Sequence, residues 1–272
     1  MGSPRRARPV IQAEVGDTIR IVFKNKASRP YSLHPHGVFY KKNSEGAPYN
    51  DNEAGEAPDD SLQPGQTHIY TWAVPPRSGP GPEDGSSVLW IYHSHTDEVR
   101  DTNAGLVGPI IITRKGMARP DGSPKDIDRQ FVTLFTVFDE NQSWYLEKNV
   151  RRYAGDPTSA DPEDEAFVES NLMHSINGYV YGNLPLTSLT MRTGERVRWY
   201  TMGMGTEVDL HTPHWHANTL LEDQERTDTI ELLPASAKEG LMIPDNAGIW
   251  LYHCHVNDHI TAGMAARYRV VG

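Results

Sequence analysis

The chain has 272 residues, long enough for two domains with a core each. Its formal charge of −10, from 36 acidic and 26 basic residues, argues against a nucleic-acid or anionic-membrane partner and suits cationic substrates. Only 37% of residues are hydrophobic, and no run approaches the roughly eighteen apolar residues of a membrane-spanning helix.

The opening MGSPRRARPVIQAEVGD has no apolar signal-peptide core and reads as a trimmed end. The expectation is a secreted or periplasmic protein, with no signal peptide in this chain. A first strand is predicted over 18–23, followed by His34-Pro35-His36. Residues 44–85 are rich in Gly, Pro, Asp and Glu and read mostly as loop, broken by a strand over 67–72 in which His68 is an ordinary residue. A strand over 87–92 runs into His93-Ser94-His95, and another covers 108–113. Residues 114–126 have a turn-and-linker composition, so domains are predicted over 1–118 and 127–272. Strands follow over 130–138, 196–200 and 248–253, with a helical turn or two within 161–173. The second half carries His211 with His214-Trp215-His216, and His253-Cys254-His255 with His259 and Met264. Many short strands bounded by Gly, Pro or Asp predict an all-β fold with one sandwich per domain.

The two halves repeat the same order of parts. Gly16-Asp17-Thr18-Ile19-Arg20-Ile21-Val22 is echoed by Gly194-Glu195-Arg196-Val197-Arg198-Trp199-Tyr200, and each is followed by a His-x-His pair. His34 and His36 correspond to His214 and His216; His93 and His95 correspond to His253 and His255.

Ten of the twelve histidines lie in these clusters, and the only cysteine lies in the last. Side chains alternate faces along a strand, so both histidines of each His-x-His pair point one way and the middle residue the other. In the last cluster the middle residue is Cys254, and one short strand then serves two sites. Cys254, His259, Met264 and a second imidazole from His211 form the ligand set of an electron-transfer copper. The soft thioether tunes potential without binding tightly. Eight histidines remain, four from each half. They suffice for three further coppers, one with two imidazoles and two with three each, at an interface between two such domains. The lack of carboxylate at these positions argues against non-haem iron or manganese.

These motifs resemble the two-domain multicopper oxidases, the group that includes small laccases, over nearly the whole chain. The resemblance implies two cupredoxin-like Greek-key β-sandwich domains and four coppers per chain. It implies a type 1 copper on His211, Cys254, His259 and Met264, and a type 2 copper on His34 and His214. The type 3 pair would take His36, His93, His95, His216, His253 and His255. Ser94 stands where a cysteine would, so only the second half builds a blue site. Ala217 follows His216 where Gly37 follows His36, a mild departure expected to leave the site intact. The stretches LHPHGVFYKKNSEGAPYND, IYHSHTDEVRDTNAGLVGPIII and WLYHCHVNDHITAGM are similar to the ceruloplasmin group of ferroxidases. That likeness implies an iron substrate site at Glu169, His174 and Asp258, with Asp258 directly before the copper ligand His259.

The expected activity couples one-electron oxidation of phenolic or amine donors, or of metal ions such as Fe(II), to reduction of O2 to water. Cys254 carries the electrons, and Asp51 and Asp97 are the candidate proton carriers, each equally suited to capping a loop. Each half offers half a cluster, and the resemblance implies a homotrimer, though the sequence alone also allows closure within one chain. The alternatives are a copper nitrite reductase, which leaves most of the eight histidines surplus, and a non-enzymatic copper protein.

Overall fold

In the computed structural model, which describes residues 9–49 and 59–272, the chain divides into two compact units. The first comprises the described residues up to Thr102 together with Leu106–Ile127; the second comprises Asn103–Gly105 and Asp128–Gly272. Each unit pairs two sheets around its own core, the layered solution for strands with one apolar face.

In the first unit a four-stranded sheet runs in the order Ile11–Glu14, Val107–Thr113, Ser87–His93, His34–Pro35. The second sheet holds Thr18–Lys24, Thr67–Ala73 and Phe39–Tyr40. Val107–Thr113 is buried throughout, as its unbroken apolar run dictates. Tyr70, Trp72, Ile110, Ile112 and Leu62 fill the space between the sheets.

The second unit repeats the four-stranded sheet with Thr190–Arg192, Ala265–Val271, Gly248–Cys254 and Pro213–Trp215 in the same order. Its other sheet is larger, running Glu225–Thr227, Leu220–Glu222, Ala237–Met242, Val197–Gly203, Arg129–Asp139, Leu172–Ile176. In both units the first strand of the four-stranded sheet lies parallel to the last. The core is aromatic: Trp199 packs against Trp215, Tyr252 and Phe131, with ring centroids 4.9–5.4 Å apart. The all-β, cupredoxin-like reading holds, and the seven expected strands all form.

Several parts were not foreseen. Ala237–Met242 and Ala265–Val271 are full strands, and Leu146–Tyr153 is an exposed helix besides the expected one, Glu165–Ser170. Residues 114–126 fold back on the first unit. The Glu14 carboxylate accepts from the amides of Gly116 (2.6 Å) and Ala118 (2.9 Å), and Arg119 donates to the carbonyls of Pro124 and Ile127. The contacts divide after Ile127. Among the described residues no helix is long and apolar enough to cross a membrane.

Gly37 and Ala217 occupy matching turns just after a His-x-His pair, with φ of +73° and +65°. A Cβ at Gly37 would fall inside the Trp90 indole, whereas Ala217 is exposed. Gly37→Ala is therefore expected to destabilise the protein by about 2–4 kcal/mol, from overpacking and left-handed strain together. Ala217→Gly is expected to change stability by no more than about 1 kcal/mol. Urea unfolding of both variants checks this; equal effects would contradict it.

Candidate metal centres

Strand register builds the first cluster. His34 lies opposite His93 and Pro35 opposite Tyr92, so both His-x-His pairs show their histidines on one face. Pro35 is buried behind its two half-buried neighbours, as alternation requires. The Nε2 atoms of His36 and His93 are 3.2 Å apart, and the His95 ring centroid lies 5.2 Å from that of His34. Outer hydrogen bonds fix the ring orientations. His34 Nδ1–H donates to the Glu45 carbonyl (2.7 Å) and His93 Nδ1–H to the Ser94 carbonyl (3.1 Å), leaving both Nε2 lone pairs for a metal.

The second unit reproduces this arrangement. His214 lies opposite His253, and Trp215 opposite Tyr252. His253 Nδ1–H donates to the Cys254 carbonyl at 2.6 Å, and its Nε2 faces His214 Nδ1 (3.2 Å) and His216 Nε2 (3.1 Å). The other nitrogen of His214 turns to the Asp228 carboxylate at 3.5 Å. Lone pairs that converge at such distances repel unless a cation lies between them.

Cys254, one residue on, points the other way into the apolar core and is fully buried. Its Sγ lies 3.9 Å from His211 Nδ1 and 3.6 Å from His259 Nδ1, and those two nitrogens are 3.1 Å apart. Thr212 N–H points at the sulfur from 3.4 Å. His259 sits on the short helix Asn257–Thr261, and Met264 is buried in the same core cluster. The return of the loop is fixed by Met264 N–H to the His259 carbonyl and Cys254 N–H to the Met264 carbonyl. Gly263, at φ +106°, is required there: a Cβ would approach the Tyr181 ring to 2.8 Å.

These donors fit copper. Among the described residues three groups bring ligand atoms within 4.8 Å of one another: His34, His36 and His93; His214, His216 and His253; and His211, Cys254 and His259. None contains a carboxylate, and the third adds a thiol to two imidazoles, a soft borderline set. Burial favours the neutral form of six of these imidazoles. It holds His36 and His259 at about 4, below the usual 6.5, aided by neighbouring histidines, and it also lowers His34, His93, His214 and His253. Burial pushes the Cys254 thiol up, so a metal must displace its proton to bind.

The remaining site residues are less assembled. Asp51 lies outside the described residues. Asp97 is partly exposed and caps the helix Glu98–Asn103, its carboxylate accepting from Arg100 N–H at 3.2 Å. Beside it Glu98, not singled out from sequence, reaches His95 Nε2 at 3.5 Å. His174 is buried with its ring 5.2 Å from that of His259, and Asp258 is exposed beside His259, its charge weakly opposing the burial that lowers that pKa. Glu169 is exposed on the helix before His174, and Glu169, His174 and Asp258 are not among the three groups whose ligand atoms converge. Sequence reading also missed Asp209. This buried carboxylate accepts from His211 Nε2–H (3.2 Å) and from the amides of Val137 and Thr206. Its distance in sequence from His211 matches no ligand motif.

A pH dependence follows for the metal-free protein. Folded, His36 and His259 take a proton only near 4; unfolded, they take it near 6.5. The unfolded state therefore binds more protons between those values, and stability falls as the pH drops through that window. The loss is expected to be about 1–3 kcal/mol per group, with little change above about pH 7. Urea midpoints measured across the window check this, and a flat profile would contradict it.

Comparison with known proteins agrees with this geometry. Multicopper oxidase family models match residues 6–116 and 156–271. The chain is 47% identical to human hephaestin over 96% of its length, 45% identical to the human ferroxidase HEPHL1 over 96%, and 42% identical to human ceruloplasmin over 97%. It spans 23% of the length of each of these relatives. Among solved structures, a multicopper oxidase superposes with a TM-score of 0.68 at 19% identity, covering 97% of this chain and 78% of that one. A copper nitrite reductase from Nitrosomonas europaea gives 0.66 at 19% identity, covering 97% and 83%; both show the shared fold. With both halves matched by the family's models, the chain belongs to the multicopper oxidase family.

Proposed function

We propose that the protein is a copper-dependent oxidase that takes single electrons from Fe(II), or from phenolic and amine donors, and passes them to O2. The observation that carries this is the placement of Cys254: its sulfur sits between two imidazoles, while its chain neighbours His253 and His255 belong to the opposite face. Bound copper would supply one-electron transfer at the sulfur site and reduction of O2 to water at the histidine sites. The ligands would be His211, Cys254, His259 and Met264 for one ion. Three further ions would share His34, His36, His93, His95, His214, His216, His253 and His255, giving the expected four coppers per chain. A nitrite reductase would leave most of these eight imidazoles without a role.

The protein's own groups set the path. The Cys254 side chain and a few backbone bonds join the sulfur site to His253 and His255. Asp209 holds the His211 ring, and His174, its ring tilted against that of His259, gives electrons a way in from a donor bound outside. Glu169, His174 and Asp258 are the proposed iron site. Asp258 and His174 flank His259, and the relative named as a ferroxidase is among the similar proteins. Asp51 and Asp97 remain the proposed proton carriers near the histidine sites. An extracytoplasmic location, secreted or periplasmic, goes with this reading.

Two half-clusters of four histidines, one per unit, imply a complement for each. We take this to be the other kind of half-site from a neighbouring copy, closing as a homotrimer. Sedimentation of the copper-loaded protein tests this; a fully active monomer would contradict it.

Two experiments test the rest. Steady-state turnover with Fe(II) and with a phenol is compared between the wild type and the combined Glu169→Gln, His174→Ala, Asp258→Asn variant. Iron oxidation is expected to lose at least about tenfold in kcat/KM, with phenol changed less than about twofold. Equal losses on both donors would reject the iron site. Asp209→Asn removes a charged acceptor from a ligand ring and weakens Cu(II) binding about tenfold more than Cu(I). Its potential is expected to rise by about 60 mV with the blue band retained. An unchanged potential would contradict the assigned role.

A further inference from the structure

The first unit keeps the framework of the sulfur site with its ligands replaced. Tyr31 exchanges backbone hydrogen bonds with Leu62 as His211 does with Leu232. Ser32 N–H points at Ser94 Oγ (3.1 Å) as Thr212 N–H points at Cys254 Sγ (3.4 Å). Ser94 N–H donates to the Leu106 carbonyl as Cys254 N–H donates to that of Met264. Leu106 N–H donates to the Asp101 carbonyl as Met264 N–H donates to that of His259. Position for position, Tyr31, Ser94, Asp101 and Leu106 thus stand for His211, Cys254, His259 and Met264. The match is weakest at Leu106, which is 37% exposed where Met264 is buried.

Where the second unit would hold a metal, the first has a short hydrogen bond. Ser94 O–H donates to Asp101 Oδ2 at 2.6 Å, and the same oxygen accepts from Asp97 N–H at 3.0 Å. Both side chains are fully buried. Ser32 ties in from the other side, its Oγ accepting from His95 N–H at 3.0 Å. Ser94 lies between His93 and His95 in the chain, so whatever holds its side chain fixes the backbone that aims both rings. In the second unit a metal on Cys254 would do this for His253 and His255.

We propose that the first unit is a lapsed electron-transfer site in which the Ser94–Asp101 hydrogen bond replaces the metal and positions the His93 and His95 ligand pair. Asp101 is accordingly a positioning residue, acting on copper through Ser94 and the strand end. The proposal rests on the copper reading above and extends it to a residue outside the converging ligand groups. A side chain that holds ligands in place contributes about ten- to a hundredfold to metal affinity.

The test uses the full chain stripped of metal and titrated with Cu(I) against a chromophoric chelator. Imidazole resonances are followed by NMR, and copper EPR is recorded after oxidation. Asp101→Asn and Ser94→Ala are compared with the wild type, the blue band of the second unit serving as the folding control. The expected result is copper affinity at His93 and His95 lowered at least about tenfold, and a changed EPR signal from the histidine-bound copper, with the blue band unchanged. Variants that keep the blue band and bind copper at these histidines as the wild type does would overturn the proposal. Failure of the wild type to load copper there would instead sink the copper reading itself. A second arm asks whether the framework is intact: Tyr31→His, Ser94→Cys and Asp101→His together should create a second blue band. A folded triple variant without one would also count against the proposal.

Discussion

Everything in this protein depends on the alternation of side chains along the strand Gly248–Cys254 and the residue after it. Because successive residues face opposite sides, Cys254 enters the apolar core while His253 and His255 face away from it. Two candidate metal sites are thereby joined through a few covalent bonds. The partner strand Pro213–Trp215 is paired so that Pro213 lies opposite Cys254 and His214 opposite His253, and each site draws on the face it needs. A one-residue slip in that register would exchange the two sets of ligands.

Burial does the second part of the work. An imidazole kept out of water stays neutral and offers its lone pair, and a carbonyl or carboxylate behind the ring decides which nitrogen carries it. Glu45, Ser94 and Cys254 contribute carbonyls for this purpose; Asp209 and Asp228 contribute carboxylates. The thiol is the exception, since burial favours its protonated form and only a bound metal reverses that. On the proposed reading the second unit would rely on copper to complete this frame, whereas the first completes it with a hydroxyl and a carboxylate. The proposed duplication followed by loss of one metal would account for both the shared hydrogen-bond pattern and the difference between Ser94 and Cys254.

Much of this was legible in the sequence because its signals were short in range. The His-x-His spacing matches the period of a strand, and Cys254, His259 and Met264 lie close enough to be read as one loop. The strands that alternated strongly or ran apolar were foreseen, as with Val107–Thr113. Ala237–Met242 was not, being polar and carrying Gly240, which leaves room for Leu220. Nor was the helix Leu146–Tyr153, which has no buried residue and is supported by an Arg151–Glu147 pair. The supposed linker is held by Glu14, 104 residues away from Ala118, an interaction no local composition reveals. Asp209, Asp228 and Glu98 escaped for the same reason: groups behind a ligand ring have no fixed spacing from it. Of the candidate iron residues, His174 meets His259 while Glu169 lies exposed on the preceding helix.

The most direct test of the central claim is copper content with optical and EPR spectra on the purified, copper-loaded protein and its Cys254→Ser variant. The account predicts four coppers per chain with an intense blue band in the wild type. In the variant it predicts one copper fewer, no blue band, and histidine-bound copper that no longer exchanges electrons with a donor. Two coppers per chain in the wild type, or a blue band that survives loss of the sulfur, would contradict it.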